Sequence, residues 1–305
     1  MQAVDRSAEE IRDVNTRYHD VAAGGYDAKW GIDFGEVGQR QVLGKVRKLL
    51  DPLVADAGFG RALEVGAGTG YFGLNLLRAG LVDELTCTDI SPGMLATLLD
   101  NARRLELEVT AVATDAEALP FEDRSFDLVV GHAVLHHLPD LDRAFAEVNR
   151  VLRPGGRIVF AGEPSRIGDR LALAPKRAAM LAAPLWRAVL GIAAAPSHAS
   201  AHPVDESELE GVVDIHAFAP DDLVRVASAA GFADVVVRGE ELTANWFGWF
   251  NRGLEARARP EDIPTLWRSY AFRGYLALQQ LDARLLEPRL PAGCFYNLLL
   301  TARRP

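Results

Sequence analysis

The chain has 305 residues, 49% of them apolar and 25% charged, a balance typical of folded globular proteins and long enough for one enlarged α/β core with insertions. Its formal net charge of −9 repels phosphate backbones over long range, so nucleic acid is not an expected partner. Two cysteines, Cys87 and Cys294, and a polar start, Met1 to Arg6, point to a reducing cytoplasm. The most apolar stretch, Leu171 to Ala195, is broken by Pro175, Lys176, Arg177, Pro184 and Arg187, so no transmembrane segment is expected.

Ser7 and Glu10 form a capping box ahead of Ile11, Val14, Tyr18 and Val21, which predicts a helix ending near Gly24-Gly25. A second amphipathic helix runs from Val37 to Leu50 and stops at Asp51-Pro52. Residues 1–52 thus read as N-terminal helices preceding the core. From Arg61 short apolar strands alternate with helices, the pattern of βαβ units around a parallel sheet. Strands are predicted at Ala62–Val65, Leu85–Thr88, Val109–Ala113, Phe126–Val130 and Arg157–Ala161. Ser91-Pro92 starts a helix running to Arg104, and Asp140 to Leu152 forms another, closed by the turn Arg153-Pro154-Gly155-Gly156. This core occupies residues 53–163. Residues 164–219 read as a helical cap insertion containing the acidic segment Asp205 to Asp214. Residues 220–305 read as the rest of the core: a helix from Pro220, strands at Asp234–Arg238 and Phe295–Thr301, and a second, aromatic insertion at about 243–292.

The sharpest local signal is Glu64-Val65-Gly66-Ala67-Gly68-Thr69-Gly70, at the handover from the first strand to a helix. Glycines there let the backbone approach a ligand closely. Gly68-Thr69-Gly70-Tyr71-Phe72-Gly73 alone also satisfies the dinucleotide pattern, which keeps a nicotinamide-dependent oxidoreductase open. Asp89, nineteen residues beyond Gly70, suits ribose hydroxyls of either cofactor. Asp115-Ala116 after the third strand offers a carboxylate and an N–H to an adenine ring. Glu64 places an anion near the ligand, which suits a sulfonium better than a pyrophosphate.

Together with Asp115-Ala116-Glu117-Ala118-Leu119-Pro120-Phe121, Phe126-Asp127-Leu128-Val129-Val130, Leu135-His136-His137-Leu138-Pro139-Asp140 and Leu152-Arg153-Pro154-Gly155-Gly156, these motifs resemble those of class I, small-molecule S-adenosylmethionine-dependent methyltransferases over roughly Arg61 to Glu163. The resemblance implies a Rossmann-like three-layer α/β/α sandwich, with a seven-stranded, mostly parallel sheet whose last strand is antiparallel, carrying helical cap insertions. It implies S-adenosyl-L-methionine as cofactor, with contacts at Glu64, Gly66, Ala67, Gly68, Gly70, Asp89, Ile90, Met94, Asp115, Ala116 and His132. Tyr18 and Tyr26, in a stretch resembling the family's tyrosine-containing lead-in, would close over its methionine end.

Methyl transfer is an in-line displacement in which positioning provides much of the rate, and a base is needed only for a protonated acceptor. Candidates are His132, His136, His137 and His19; the alternative is that His136 and His137 only shape the helix entry after strand four. Leu171, Leu173, Met180, Leu181, Leu185 and Trp186, with Trp246, Phe247, Trp249 and Phe250, suggest a roof over a hydrophobic or aromatic small-molecule acceptor, or alternatively filler between cap and core. Lys176, Arg177 and Arg187 beside apolar residues also permit weak membrane-surface contact. A catalytically silent binding protein on the same fold is a further alternative. No motif encodes the acceptor, the atom methylated or the oligomeric state.

Overall fold

The computed structural model describes residues 7–50, 52–194 and 216–305. The acidic segment Asp205 to Asp214 lies outside the described residues.

Helix α1 (Ala8–Ala22) opens on the expected capping box: Ser7 Oγ accepts from Glu10 N at 3.2 Å while the Glu10 carboxylate accepts from Ser7 N at 2.8 Å. A 3-10 turn at Ala23–Gly25 joins it to α2 (Tyr26–Trp30). Helix α3 (Glu36–Leu49) buries Val42, Val46 and Leu49, and α4 (Pro52–Ala57) leads into the core. The core then alternates β1 (Phe59–Val65), α5 (Tyr71–Arg78), β2 (Val82–Asp89), α6 (Pro92–Arg104), β3 (Thr110–Ala113), β4 (Phe126–His132), α7 (Leu141–Val151) and β5 (Leu152–Pro164). After α8 (Arg166–Leu190) come α9 (Pro220–Ala229), β6 (Ala233–Glu240), α10 (Thr243–Glu255), α11 (Thr265–Leu281) and β7 (Asn297–Arg303). Ser91 and Asp140 cap α6 and α7, their side chains accepting from Met94 N and Arg143 N.

The seven strands form one sheet in the order β3-β2-β1-β4-β5-β7-β6. The pairs β1–β2, β2–β3, β1–β4 and β4–β5 are parallel. β7 runs antiparallel to β5: Gly155 N donates to Arg304 O at 2.9 Å at one end, and Ser165 N donates to Tyr296 O at 2.8 Å at the other. β5 is longer than predicted because the turn Arg153–Gly156 is a bulge within it: Phe126 pairs with Leu152 but Leu128 with Arg157, so four residues stand opposite Asp127 alone. The chain order reverses between β1 and β4, which leaves a crevice beyond their carboxyl ends.

Two compact units emerge, residues 1–163 with 204–238 and 299–305, and residues 164–203 with 239–298. Parts of the two stretches read from sequence as separate insertions therefore fold together, whereas residues 216–219, placed in the cap at 164–219, belong to the first unit. In the second unit, α8 and α10 approach closely; a Cβ on Gly253 would stand 2.7 Å from the Cβ of Ala179. Ala179, Ala183, Trp186, Ile192, Leu254 and Ala258 form its small core. The opposite face of α8 differs from expectation. Leu181 and Leu185 are 83% and 71% exposed, and Leu171, Leu173 and Met180 are exposed too. No helix among the described residues is long and apolar enough to cross a membrane.

Candidate active site

The glycine turn lies at the carboxyl end of β1, and Gly66, Gly68 and Gly70 all adopt positive φ, at 62°, 52° and 92°. Their roles differ. A Cβ on Gly66 would meet Val134 Cγ2 at 2.2 Å and one on Gly70 would meet Leu74 Cδ1 at 2.6 Å, so these two let the turn pack. A Cβ on Gly68 would meet nothing within 4 Å, so this backbone lies open to a ligand. Ala67 between them is buried and donates its N–H to Thr88 O at 2.8 Å. Thr69 is buried, with an Oγ1 that has no hydrogen-bond partner.

Asp89, at the tip of β2, accepts from Gly68 N at 2.8 Å and from Ser91 N at 2.9 Å, which ties the turn to the start of α6. Burial pushes its carboxyl above the usual carboxylate range, against the pull of His19 and of these N–H donors. Ile90 is half-buried, Met94 wholly buried, and Ala116 buried beyond the end of β3. Glu64 is buried under the turn, where it accepts from Gly73 N at 3.1 Å and from the Cys87 thiol at 3.8 Å. Desolvation pushes its pKa up to about 8, and nearby Asp89 adds to the rise. The anion expected at Glu64 is thus mostly a neutral acid at pH 7 unless a cation arrives.

Helix α1 is pinned across the strand tips. Arg12 pairs with Asp115 through Nε at 2.6 Å and also with Glu117. Asp115, read from sequence as an adenine acceptor, therefore already holds a cation. At the other end Asp20 accepts from Ser91 Oγ at 2.5 Å and Gly93 N at 2.9 Å, and in α2 Asp27 accepts from Asn101 Nδ2 at 3.0 Å. Tyr18 is buried in α1, its hydroxyl accepting from Lys29 Nζ at 3.5 Å, and Tyr26 stands 6.3 Å from the His19 ring. Arg12→Ala breaks a partly buried charged clamp worth about 1–2 kcal/mol, so amides of α1 are expected to exchange with deuterium about tenfold faster; unchanged exchange would show that the clamp contributes nothing.

The histidines gather at the ends of β4 and β5. His136 is buried, and its Nδ1 lies 2.8 Å from Glu163 Oε2. Glu163, fully buried, also accepts from Val134 N and Leu135 N at 3.0 Å and from His136 N at 3.2 Å. The Glu163 carboxyl thus meets three backbone N–H groups and the His136 ring, and an Nδ1–H donated to it leaves the ring's lone pair on Nε2. The His137 ring lies 4.0 Å from that of His136 and 5.4 Å from that of His19, whose Nδ1 is fixed on Asn15 O at 2.8 Å. His216 lies beside them, its backbone N donating to His136 O at 3.2 Å while its ring Nε2 lies 3.0 Å from Leu138 O. His132 is stacked on Phe72 at 5.6 Å and edge-on to Tyr71 at 5.3 Å. The structure thus brings together His19, His136 and His137.

In the second unit, Trp186 and Phe250 belong to the small core, Trp186 meeting Trp267 edge-on at 5.1 Å. Trp249 carries Lys176 Nζ 4.0 Å from its ring centroid and meets Tyr296 edge-on at 5.7 Å. Trp246 is 37% exposed.

Residues 63–160 match the family described as methyltransferase domain. The malonyl-[acyl-carrier protein] O-methyltransferase of Geobacter sulfurreducens is 39% identical over 150 residues, 49% of this chain and 52% of that protein. A demethylmenaquinone methyltransferase of Staphylococcus aureus is 42% identical over 100 residues, 32% of this chain and 41% of that one. Residues 63–160 are a methyltransferase domain.

The chain spans about half the length of the malonyl-[acyl-carrier protein] O-methyltransferases it matches. Among solved structures, phosphoethanolamine N-methyltransferase 2 of Haemonchus contortus, in complex with S-adenosyl-L-methionine, superposes with a TM-score of 0.59 at 18% identity, covering 100% of this chain and 61% of that one. The [4+2]-cyclase SpnF superposes at 0.57 with 21% identity over 97% of each chain. The methyltransferase fold therefore also carries a cyclase, and the fold alone does not name a reaction.

The methyltransferase domain fits S-adenosylmethionine by its donor set. Gly68 leaves open space beside its backbone, Thr69 Oγ1 is a buried orphan, and Asp89 presents a carboxyl at the tip of β2. Sequence reasoning missed Glu163, Arg12, Asp20 and His216. Glu163 ends a strand and was visible as such, but its bond to His136 spans 27 residues and no spacing encodes it.

Proposed function

We propose that this protein is an S-adenosylmethionine-dependent methyltransferase acting on a small hydrophobic or aromatic acceptor in the reducing cytoplasm. The observation that carries this reading is the open backbone at Gly68, held by the Asp89 carboxylate. The relatives' acceptors, a malonyl group on acyl-carrier protein and demethylmenaquinone, support a non-nucleic acid acceptor. Both cysteines are unpaired thiols, which supports the compartment.

When bound, the cofactor supplies a methyl group activated by its sulfonium. The chain's own residues orient the acceptor and, for a hydroxyl acceptor, remove its proton. His136 Nε2 is that base: Glu163 fixes the tautomer and stabilises the imidazolium that forms. Asp89 orients the cofactor's ribose, and α1 excludes water above it through Arg12 and Asp20. A nicotinamide cofactor is the weaker fit, since the turn Glu64–Gly70 carries no cation to meet its pyrophosphate.

Calorimetry with S-adenosylhomocysteine against NAD tests the reading; binding of NAD alone would overturn it. Comparing metabolites in cells with and without the protein, for a mass gain of one methylene, identifies the acceptor.

Glu64 gives a second test. Its folded pKa of about 8 stands above the unfolded value of 4.5, so the folded state binds the extra proton and stability falls as pH rises between the two values. That penalty reaches on the order of 3 kcal/mol by pH 7 and levels off above pH 8. The thermal midpoint of the ligand-free protein should fall across this window, and Glu64→Gln should flatten the fall. A nearby sulfonium and ammonium favour ionised Glu64, so cofactor binding at pH 7 should release a proton, seen as a buffer-dependent binding enthalpy. Equal enthalpies in buffers of different ionisation heat would remove the idea.

A further inference from the structure

The second unit holds fifteen of the eighteen large apolar residues that are exposed among the described residues. Helix α8 sorts them along its length. From Ala178 to Leu190 every exposed residue is apolar, with Leu181, Leu185 and Val189 at 83%, 71% and 74% exposure. In the preceding turns the exposed charged residues are Arg166, Arg170 and Arg177, all cationic. Asp169, the one acid of the helix, is partly covered and lies 3.8 Å from Lys176. Helix α11 repeats the bias: its charged residues are Arg268 and Arg273, and Leu266 is 82% exposed. Seven cations against one anion on these two helices reverse the sign of a chain whose net charge is −9.

We propose that the exposed face of α8 docks on an anionic phospholipid bilayer, lying in the interface without crossing it. The matching of halves selects this occupant. A lipid surface offers phosphates to Arg166, Arg170 and Arg177 and acyl chains to Leu181, Leu185 and Val189 of the same helix. A second copy does neither. Paired in parallel, the arginines face one another; paired antiparallel, they lie against bare leucine, and each arrangement strands cations at an apolar contact. The buried side of α8, through Ala179, Ala183 and Trp186, holds the helix formed before it meets lipid, so docking carries no cost of ordering a disordered segment. Pro175 and Pro184 leave the carbonyls of Leu171 and Met180 without an intrahelical donor, and both residues are exposed, where water or headgroup hydrogen bonds reach them. This inference is independent of the proposed reaction.

The test is co-sedimentation of the full chain with vesicles of phosphatidylcholine mixed with phosphatidylglycerol, against phosphatidylcholine alone. The protein is expected to pellet with the anionic vesicles and to be released at about 1 M salt, where the screening length shrinks to about 3 Å. Leu181→Asp with Leu185→Asp should weaken association on the order of a hundredfold. Arg170→Gln with Arg177→Gln, which keeps the apolar surface, should weaken it on the order of tenfold. Circular dichroism and S-adenosylhomocysteine affinity should be unchanged in both. Absence of association with anionic vesicles, or association that both double variants leave intact, would overturn the proposal. So would a dimer in analytical ultracentrifugation that Leu181→Asp with Leu185→Asp dissolves, which would assign the face to a second copy.

Discussion

Gly68→Leu is expected to weaken S-adenosylhomocysteine binding by at least about a hundredfold while the protein still folds. The reason is the asymmetry of the glycine turn. At φ 52° a side chain costs about 1–2 kcal/mol of backbone strain, but the space beyond Gly68 is empty, so no packing is lost. That space is where the ligand would lie, and a leucine there excludes it. Gly66→Ala provides the contrast. Its Cβ would sit 2.2 Å from Val134 Cγ2, a core side chain that is 6% exposed, so the cost falls on folding and the thermal midpoint should collapse. Isothermal titration and thermal melting on both variants separate the two roles. Full affinity in Gly68→Leu would mean that the cofactor lies elsewhere, and the reading of this crevice would fail.

His136→Ala is expected to lower kcat by about a hundredfold to ten-thousandfold for a hydroxyl acceptor, with cofactor affinity unchanged. The imidazole is oriented by a carboxylate that three backbone N–H groups hold in place, an arrangement costly to maintain for packing alone. Glu163→Gln should act through it: the amide presents N–H toward those donors, the ring loses its fixed tautomer, and the acidic limb of the pH–rate profile should move. Glu163→Ala instead leaves three buried N–H groups unsatisfied at about 1–3 kcal/mol each, so it should destabilise the fold as well. Full turnover in His136→Ala would reassign the base or show that none is needed. His132→Ala is the comparison, since its ring is stacked on Phe72.

Much of this was legible in the chain because the core obeys local rules. Ser91-Pro92 marked the start of α6, the capping box marked α1, and the glycine turn with Asp89 lies where strand periodicity placed it. What could not be read were contacts across long separations. Arg12 reaches Glu117 over 105 residues, and His136 reaches Glu163 over 27. Such pairs depend on which strand tips the sheet order brings together, and periodicity carries no record of that. The apolar residues of α8 show the opposite limit. Composition identified Leu181 and Leu185 as candidates for enclosure, but hydrophobicity does not specify which side of a helix finds a partner, and both are exposed.

The position of β7 has a consequence for synthesis. It is the last strand in chain order yet sits inside the sheet between β5 and β6, with Leu298, Leu299 and Ala302 fully buried. A nascent chain that has already made β6 and both long helices of the second unit still presents an unsatisfied row of N–H and C=O groups along β5. Closure waits for residues 297–303 to leave the ribosome, so the interval before that moment is when misassembly and chaperone capture are concentrated.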